Sequence, residues 1–213
     1  MNRKLWIQKR KQIANKQERN FRIACRLLPF FKQYPSIGIY LPILGEVDVL
    51  EHFGFQLSNQ LKDQKDLYGF SKLLSKQQFE AIQWSAPKVE SETTMRFYPL
   101  DQLEIGAFGI LEPKGLKSGQ KEVVPSLIVV PLVAFCDGYR KGYGKGYYDR
   151  YLQKHPNCLR IGVAFDKQEA SFVPEAWDQR LDVIITETRV LHYPRNSETI
   201  NDEDEQETKK EGL

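Results

Sequence analysis

One stretch constrains this chain more than any other. The apolar run Leu127-Ile128-Val129-Val130 leads, through a short connection, into Arg140-Lys141-Gly142-Tyr143-Gly144-Lys145-Gly146-Tyr147-Tyr148-Asp149. A continuous apolar run of this kind reads as a strand buried on both faces of a sheet. Glycines then stand at every second position, 142, 144 and 146. A backbone free of Cβ atoms can turn successive N–H groups towards one point, and such a nest running into a helix N-terminus binds phosphate. Arg140 and Lys145 bring full positive charges to the same place, and Asp149 follows one turn into the expected helix. The spacing is not G-x-x-x-x-G-K-[ST], nor the G-x-G-x-x-G of dinucleotide folds. On spacing alone, a glycine-rich turn with surface cations stays open beside a phosphate cradle. The position after a buried strand and before a helix favours a ligand site.

The rest of the pattern builds an α/β protein around this loop. Asn15-Lys16-Gln17-Glu18 reads as a capping box. Phe21, Ala24, Cys25 and Leu28 recur behind it at helical spacing and predict a helix over 16–28, ended or kinked by Pro29. Ile37 to Leu41 reads as a strand, and Gly45-Glu46-Val47-Asp48 as the opening of a helix to about Phe53. Residues 55–78 read as a polar helix–loop connection, 81–84 and 93–98 as strands, 106–113 as a glycine-punctuated loop, and 114–122 as a polar loop. Leu159–Phe165 and Val183–Thr186 read as two further strands, with a helix from near Tyr147 before them. Strand–helix–strand alternation implies a mainly parallel sheet.

Composition narrows the class. The chain has 213 residues, enough for one domain, and 28% charged residues, ordinary for a globular protein. No run of about 18 apolar residues predicts a membrane span. The first residues lack an apolar signal core, so a cytoplasmic protein without a membrane partner is expected. Cys25, Cys136 and Cys158 form no CxxC pair or Cys/His cluster, so zinc is not expected and the thiols read as reduced and mostly buried. The net charge of +3 hides an asymmetry: residues 1–26 carry nine basic side chains against Glu18, and residues 196–213 carry seven acids against Lys209 and Lys210. The front end therefore calls for an anionic ligand, nucleic acid, or a solvated helix face. The tail, almost free of large apolar groups, reads as disordered, which gives a domain over 1–195 and a tail over 196–213.

Arg-x-Gly-x-Gly-Lys-Gly-Tyr-Tyr-Asp, preceded by Pro131-x-x-Ala-Phe135, resembles the 5-formyltetrahydrofolate cyclo-ligase family, also called methenyltetrahydrofolate synthetases. Leu41 with Gly45-Glu46-Val47-Asp48, Gly109-Ile110-Leu111-Glu112-Pro113 and Trp177-Asp178 through Thr186-Glu187 match further family segments in order, so that the likeness spans roughly residues 1–190. The resemblance implies a single three-layer α/β domain of the CoA-transferase-like type, with a mainly parallel central sheet flanked by helices. It implies a monomer that converts 5-formyltetrahydrofolate and ATP, with Mg²⁺, into 5,10-methenyltetrahydrofolate, ADP and phosphate. Carried over residue by residue, Arg140 and Lys145 are the catalytic cations. ATP falls to these two with Lys141, Gly142, Tyr143, Gly144, Gly146, Tyr147 and Tyr148. Leu41, Glu46, Tyr143 and Tyr147 border the folate, and Asp149 and Asp178 face the metal. The family's N-terminal Lys-x-x-x-Arg pair is not clean here, and Arg3 or Lys4 fills its place. Cys136 stands where the family often has Asp. The resemblance gives no role to His52, His155 or His192, which read as surface or packing residues, and Asp182 reads as structural at a strand entrance.

Two other classes remain in view at this level. A nucleic-acid-binding module would use the basic N-terminal helix, with aromatics exposed beside it. Phe21, Phe30 and Phe31 read instead as core. A sugar-phosphate or CoA-handling enzyme on a similar fold would bind its ligand without hydrolysing a nucleotide.

Overall fold

A computed structural model describes residues 3–55, 73–106 and 111–195. Most of the 55–78 connection, residues 107–110 of the glycine-punctuated segment and the whole acidic tail lie outside the described residues.

Among the described residues the core is a seven-stranded sheet of order β11-β10-β9-β6-β1-β2-β3. Its strands are β1 (Ser36–Gly38), β2 (Gln83–Val89), β3 (Met95–Pro99), β6 (Leu127–Pro131), β9 (Leu159–Val163), β10 (Val183–Ile185) and β11 (Val190–His192). The inner pairings β10–β9, β9–β6, β6–β1 and β1–β2 are parallel, and both edge strands run antiparallel. The mainly parallel sheet expected from the alternating pattern is therefore present. The two antiparallel edges carried no separate sequence signal. Two hairpins stand outside the sheet, β4 (Leu103–Ile105) with β5 (Leu111–Pro113), and β7 (Ala134–Cys136) with β8 (Tyr139–Lys141).

The run 127–130 shows why the sheet needs both faces covered. Leu127 and Val129 pack into one apolar cluster with helix α2 (Lys16–Phe31), and Ile128 and Val130 into another with helix α4 (Tyr147–Lys154). All four are fully buried. Side chains of a strand alternate between faces, so a strand with apolar residues at every position has to lie between two layers. Two further helices are α1 (Arg3–Lys11) and the short α3 (Lys76–Glu80), the latter begun by a Ser75–Gln78 capping box.

Several local expectations change. Asn15 sits at φ 55° with no side-chain cap bond, so it forms a left-handed elbow between α1 and α2 rather than a capping box. The helix runs on past Pro29 to Phe31. Pro29 has no N–H to give to the Cys25 carbonyl, so the helix forgoes one bond near its end, and Phe31, buried against Phe53 and Trp84, holds the last turn. The buried stripe of α2 is Asn20, Ile23, Ala24, Leu27 and Phe31, one position off the expected one. Phe21 is 39% exposed, Phe30 half-buried and Cys25 exposed, which corrects their reading as core. Residues 45–53 form a turn followed by a single 3₁₀ turn at Leu50–Phe53 instead of an α-helix. There the Asp48 carboxylate accepts from the Leu50 N–H and the Tyr40 hydroxyl donates to the Val47 carbonyl, bonds that compete with helix formation. Asp182 accepts from the Arg160 N–H and pairs with Arg195 at the entrance to β10, the structural role expected of it. His52 is buried edge-on to Phe21, His155 stacks on Tyr151 and His192 lies near Phe30, all as packing residues.

Candidate active site

Chain order reverses direction at the β1–β6 pair: β1 is followed outward by β2, and β6 in the other direction by β9 and β10. Open α/β sheets bind ligands at such a point, beyond the strand C-termini. A cleft of about 1090 Å³ lies there. Tyr40 and Leu41 enter it after β1, Pro87 and Val89 from β2, and Pro131 from the end of β6. Ligand pockets typically measure roughly 300–1,000 Å³, so this cleft stands at the upper end of that range.

The 140–149 segment forms one wall of the cleft. Hairpin β7–β8 turns the chain back after β6, and Arg140 and Lys141 end it. The loop 142–146 follows, and α4 starts at Tyr147 with Gly146 as an N-cap that has no side-chain bond. Gly144 (φ 95°) and Gly146 (φ 67°) occupy left-handed backbone. A Cβ on Gly146 would meet the Arg150 guanidinium at 2.9 Å, and one on Gly144 the Arg3 guanidinium at 3.2 Å. Glycine is required at both positions for backbone conformation and for close cation approach. Arg150 fixes the loop from behind, donating to the Lys145 carbonyl at 2.9 Å and to the Thr93 carbonyl at 2.9 Å.

The cations separate into two kinds. Arg140 is buried, bonds Asp149 Oδ1 at 3.1 Å and lies over the Tyr148 ring. Lys141 is buried and bonds Asp178 Oδ2 at 2.7 Å, with Glu175 at 3.5 Å. Arg3 and Lys145 line the cleft, are exposed and make no ion pair among the described residues. Their positive charge is left for a ligand. Lys4 is not among the cleft-lining residues, so of the two N-terminal candidates the structure brings Arg3 to the loop.

The opposite wall rests on a buried carboxylate. Leu44 (φ 50°) and Gly45 (φ 75°) make a tight turn in which the Glu46 N–H donates to the Ile43 carbonyl and Glu46 Oε2 accepts from the Ile43 N–H at 2.9 Å. Positive φ at two successive central residues is a type I′ pattern, which favours Asn-Gly and strains a leucine. Glu46 Oε1 also accepts from the Tyr143 hydroxyl at 2.9 Å. Burial pushes the Glu46 carboxyl above the usual range, against the opposing effects of the Ile43 N–H, Arg10 and Tyr143. Burial and the nearby Glu46 raise Tyr143 to about 12. Burial likewise raises Tyr148, whose hydroxyl is buried without a partner.

Sequence reading missed Arg10. It projects from α1 at 1% exposure and donates to the Leu132 carbonyl at 3.0 Å, the Leu44 carbonyl at 3.2 Å and the Tyr143 hydroxyl at 2.6 Å, with Glu46 at 3.7 Å. One guanidinium thus ties helix, strand end, strained turn and glycine loop together. Its position one helical turn beyond Trp6, the other buried residue of α1, was the available signal, obscured by the cations around it. Arg150 was also missed.

Asp149 and Asp178 both line the cleft. The hydrogen bonds of Asp149 fall on Oδ1, from Arg140 and the Gln179 N–H, and those of Asp178 on Oδ2, from Lys141 and the Glu175 N–H. The second oxygen of each makes no hydrogen bond among the described residues. No group of three or more His, Cys, Asp or Glu side chains placed to hold a metal occurs among the described residues. Mg²⁺ is commonly held by one or two carboxylates together with substrate phosphates. A pair of half-committed carboxylates beside an anion loop fits that mode and does not fit an all-protein cage.

Comparison with known proteins gives one consistent result. The model of the 5-formyltetrahydrofolate cyclo-ligase family matches residues 72–187. The 5-formyltetrahydrofolate cyclo-ligase of Mycoplasma pneumoniae is 32% identical over 192 residues, covering 87% of this chain and 96% of the relative. The 5,10-methenyltetrahydrofolate synthetase of Aquifex aeolicus superposes with a TM-score of 0.66 at 32% identity, over 94% of this chain and 96% of that one. The corresponding synthetase of Mycoplasma pneumoniae gives 0.61 at 26% identity, over 87% and 96%.

Proposed function

The chain belongs to the 5-formyltetrahydrofolate cyclo-ligase family, and from that premise we propose how its residues carry out the ATP-dependent conversion of 5-formyltetrahydrofolate to 5,10-methenyltetrahydrofolate. The carrying observation is the loop 142–146, with left-handed Gly144 and Gly146 and with Arg3 and Lys145, which make no ion pair among the described residues, opening on a cleft of about 1090 Å³. An ATP-dependent folate ligase has two substrates to place and one phosphoryl group to move between them. The nucleic-acid reading is not favoured, nor is the reading as an enzyme without nucleotide hydrolysis.

The chemical obstacle is the N5-formyl group. Its carbonyl carbon is a poor electrophile and its oxygen a poor leaving group. Transfer of the γ-phosphoryl group to that oxygen releases ADP and makes the oxygen a phosphate ester. N10 then attacks the same carbon and gives up its proton to solvent or the departing phosphate, closing the ring, and inorganic phosphate leaves with the formyl oxygen. Phosphoryl transfer asks a protein mainly for positioning and charge neutralisation. Lys145 and Arg3 supply the charge, with the backbone N–H groups of 142–146 and the first turn of α4. Arg140 and Lys141 act by holding Asp149 and Asp178 in place, which refines the expectation that Arg140 itself meets the phosphoryl group. Tyr147 and Tyr148 line the cleft and pack on the apolar cluster behind α4, with Tyr147 facing the folate.

Leu41, Glu46 and Tyr143 border the folate. Glu46 lines the cleft and accepts from the Ile43 N–H and the Tyr143 hydroxyl, and a carboxylate acceptor suits the N–H groups of a pterin ring. Asp149 and Asp178 would hold Mg²⁺ through their uncommitted oxygens, and the ion would add neutralising charge on the nucleotide phosphates. We further propose a monomer working in the cytoplasm, with residues 1–195 as the catalytic unit and the acidic tail outside it. All the residues assigned here come from one chain, and its three cysteines are free.

The test is direct. Purified protein mixed with Mg-ATP and 5-formyltetrahydrofolate should give the absorbance of the methenyl product, and omission of either substrate should abolish it. Absence of product from folded protein with both present would refute the reading.

A further inference from the structure

The chain has three tryptophans, and the structure treats them unequally. Trp6 and Trp84 are each 8% exposed, whereas Trp177 is 66% exposed on the wall of the cleft. A largely uncovered indole is unusual, since tryptophan is among the most apolar side chains a surface can carry. Its backbone is nevertheless fixed. Asp178 Oδ2 accepts from the Glu175 N–H at 2.9 Å while the Asp178 N–H donates to the Glu175 carbonyl at 2.9 Å, closing a tight turn around Trp177. That turn is tied to the phosphate wall on both sides, by Lys141 to Asp178 at 2.7 Å and by the Gln179 N–H to Asp149 at 3.2 Å. A rigid mount for an uncovered aromatic face, inside a ligand cleft, is the construction of a stacking platform.

Two flat rings could use it, a purine or a pterin, and placement decides between them. The residues assigned to the pterin, Leu41 and Glu46, follow β1. Trp177 lies on the segment between β9 and β10, joined to the carboxylates that flank the phosphate loop. We propose that Trp177 is the platform on which the adenine ring of the nucleotide stacks, making it a specificity residue for a nucleoside triphosphate over bare triphosphate. This rests on the ATP-dependent reading above.

The test uses the full chain and two variants, Trp177→Ala and Trp177→Phe. Because the other two tryptophans are buried, Trp177 supplies the emission that acrylamide quenches. Mg-ATP should protect that emission in the wild type, and magnesium tripolyphosphate, which has no base, should not. A stacked base is worth roughly tenfold in affinity, so Trp177→Ala should raise the KM for ATP about tenfold, leave the KM for 5-formyltetrahydrofolate and inhibition by tripolyphosphate unchanged, and leave the melting temperature in place. Trp177→Phe, which keeps a ring, should recover most of the loss. An unchanged KM for ATP, a rise confined to the folate KM, or equal protection by tripolyphosphate would each overturn the proposal while the activity stands. Wild-type protein that is protected by Mg-ATP yet forms no methenyl product would refute the enzymatic reading and leave the stacking intact.

Discussion

Lys145→Ala separates a phosphate cradle from a structural turn. Lys145 is exposed and makes no side-chain hydrogen bond or ion pair among the described residues. The contact that holds the loop runs from Arg150 to the Lys145 carbonyl, which alanine retains. Positive φ in the loop falls on Gly144 and Gly146 and not on Lys145, so alanine fits the backbone. The stability change should therefore stay within about 0.5 kcal/mol, a melting shift of about 1–2 °C for a protein of this size. The effect on rate has a different scale. A cation about 4 Å from a developing charge interacts by roughly 4 kcal/mol at an effective dielectric of about 20, and loss of one such contact costs enzymes about a hundredfold in rate. Arg140 makes the contrast. Its charge is already matched by Asp149 at 3.1 Å and both side chains are largely buried, so Arg140→Ala should destabilise by about 3–5 kcal/mol through the stranded carboxylate. Initial rates of methenyl formation with both substrates saturating, beside melting curves, read both effects. Wild-type turnover in Lys145→Ala would refute the assignment of the loop as the phosphate cradle.

Three further outcomes are expected. Leu44→Asn should raise stability by about 1 kcal/mol in thermal melts, because asparagine tolerates the left-handed φ of 50° that strains leucine; a loss would mean the half-exposed leucine side chain matters more than its backbone. Arg10→Met should cost about 3–5 kcal/mol by stranding Glu46, and the double variant with Glu46→Gln should recover part of that loss in denaturant melts; strict additivity would show that the two do not interact. Glu46→Gln should also alter pH dependence: burial raises the folded-state pKa above 4.5, so the wild type holds its extra stability below about pH 4.5 and loses it as pH rises through the folded value. The wild type should lose ground to the non-titrating glutamine as pH climbs above 4.5, and a flat difference across that range would disprove the shift.

What the sequence disclosed depended on whether one residue type had one physical explanation. The run 127–130 had one, since a short, largely β-branched apolar run fits a strand covered on both faces, and its faces belong to two separate clusters. Gly144 and Gly146 were likewise legible, because alternating glycines have few structural uses other than positive φ and close approach. Helix α2 was harder. Apolar residues occupy 21, 23, 24, 25, 27, 28, 30 and 31, an arc too wide to orient, and the buried stripe was set by the strands and the 3₁₀ turn it packs on rather than by its own periodicity. Residues 45–53 offered helix-opening chemistry, which lost to bonds from Tyr40 and Asp48 that only the fold brings into reach. Asp149 and Asp178 line the cleft, but their ion pairs with Arg140 and Lys141, nine and 37 residues away in sequence, depend on how hairpin, helix and loop are folded together and could not be read from spacing.

The basic front end is where charge counting misleads most. Nine cations against one acid in residues 1–26 suggest a field drawing ATP and folate into the cleft. The structure spends most of that charge elsewhere. Arg10 is buried against Glu46, Arg19 pairs with the buried Glu187, and Arg22 pairs with Glu18. Arg26 donates to the Thr188 carbonyl, and Lys16 to the carbonyls of Lys11 and Gly45. Apart from Arg22–Glu18, which lies within α2, and Lys16 to Lys11, which joins the two helices, these bonds fasten α1 and α2 to the segments that follow β1, β6 and β10, on the side where the cleft lies. Arg3, the first residue of α1, is the member of the group that reaches the glycine loop, 3.2 Å from where a Gly144 side chain would begin. The segment therefore acts mainly as a mount. Buried Arg10 anchors α1, and α1 delivers the Arg3 guanidinium, which makes no ion pair among the described residues, to the loop. Screening exposed charge with salt should then weaken attraction at Arg3 and Lys145 and leave the Arg10–Glu46 anchorage intact, since buried pairs are screened far less than exposed ones.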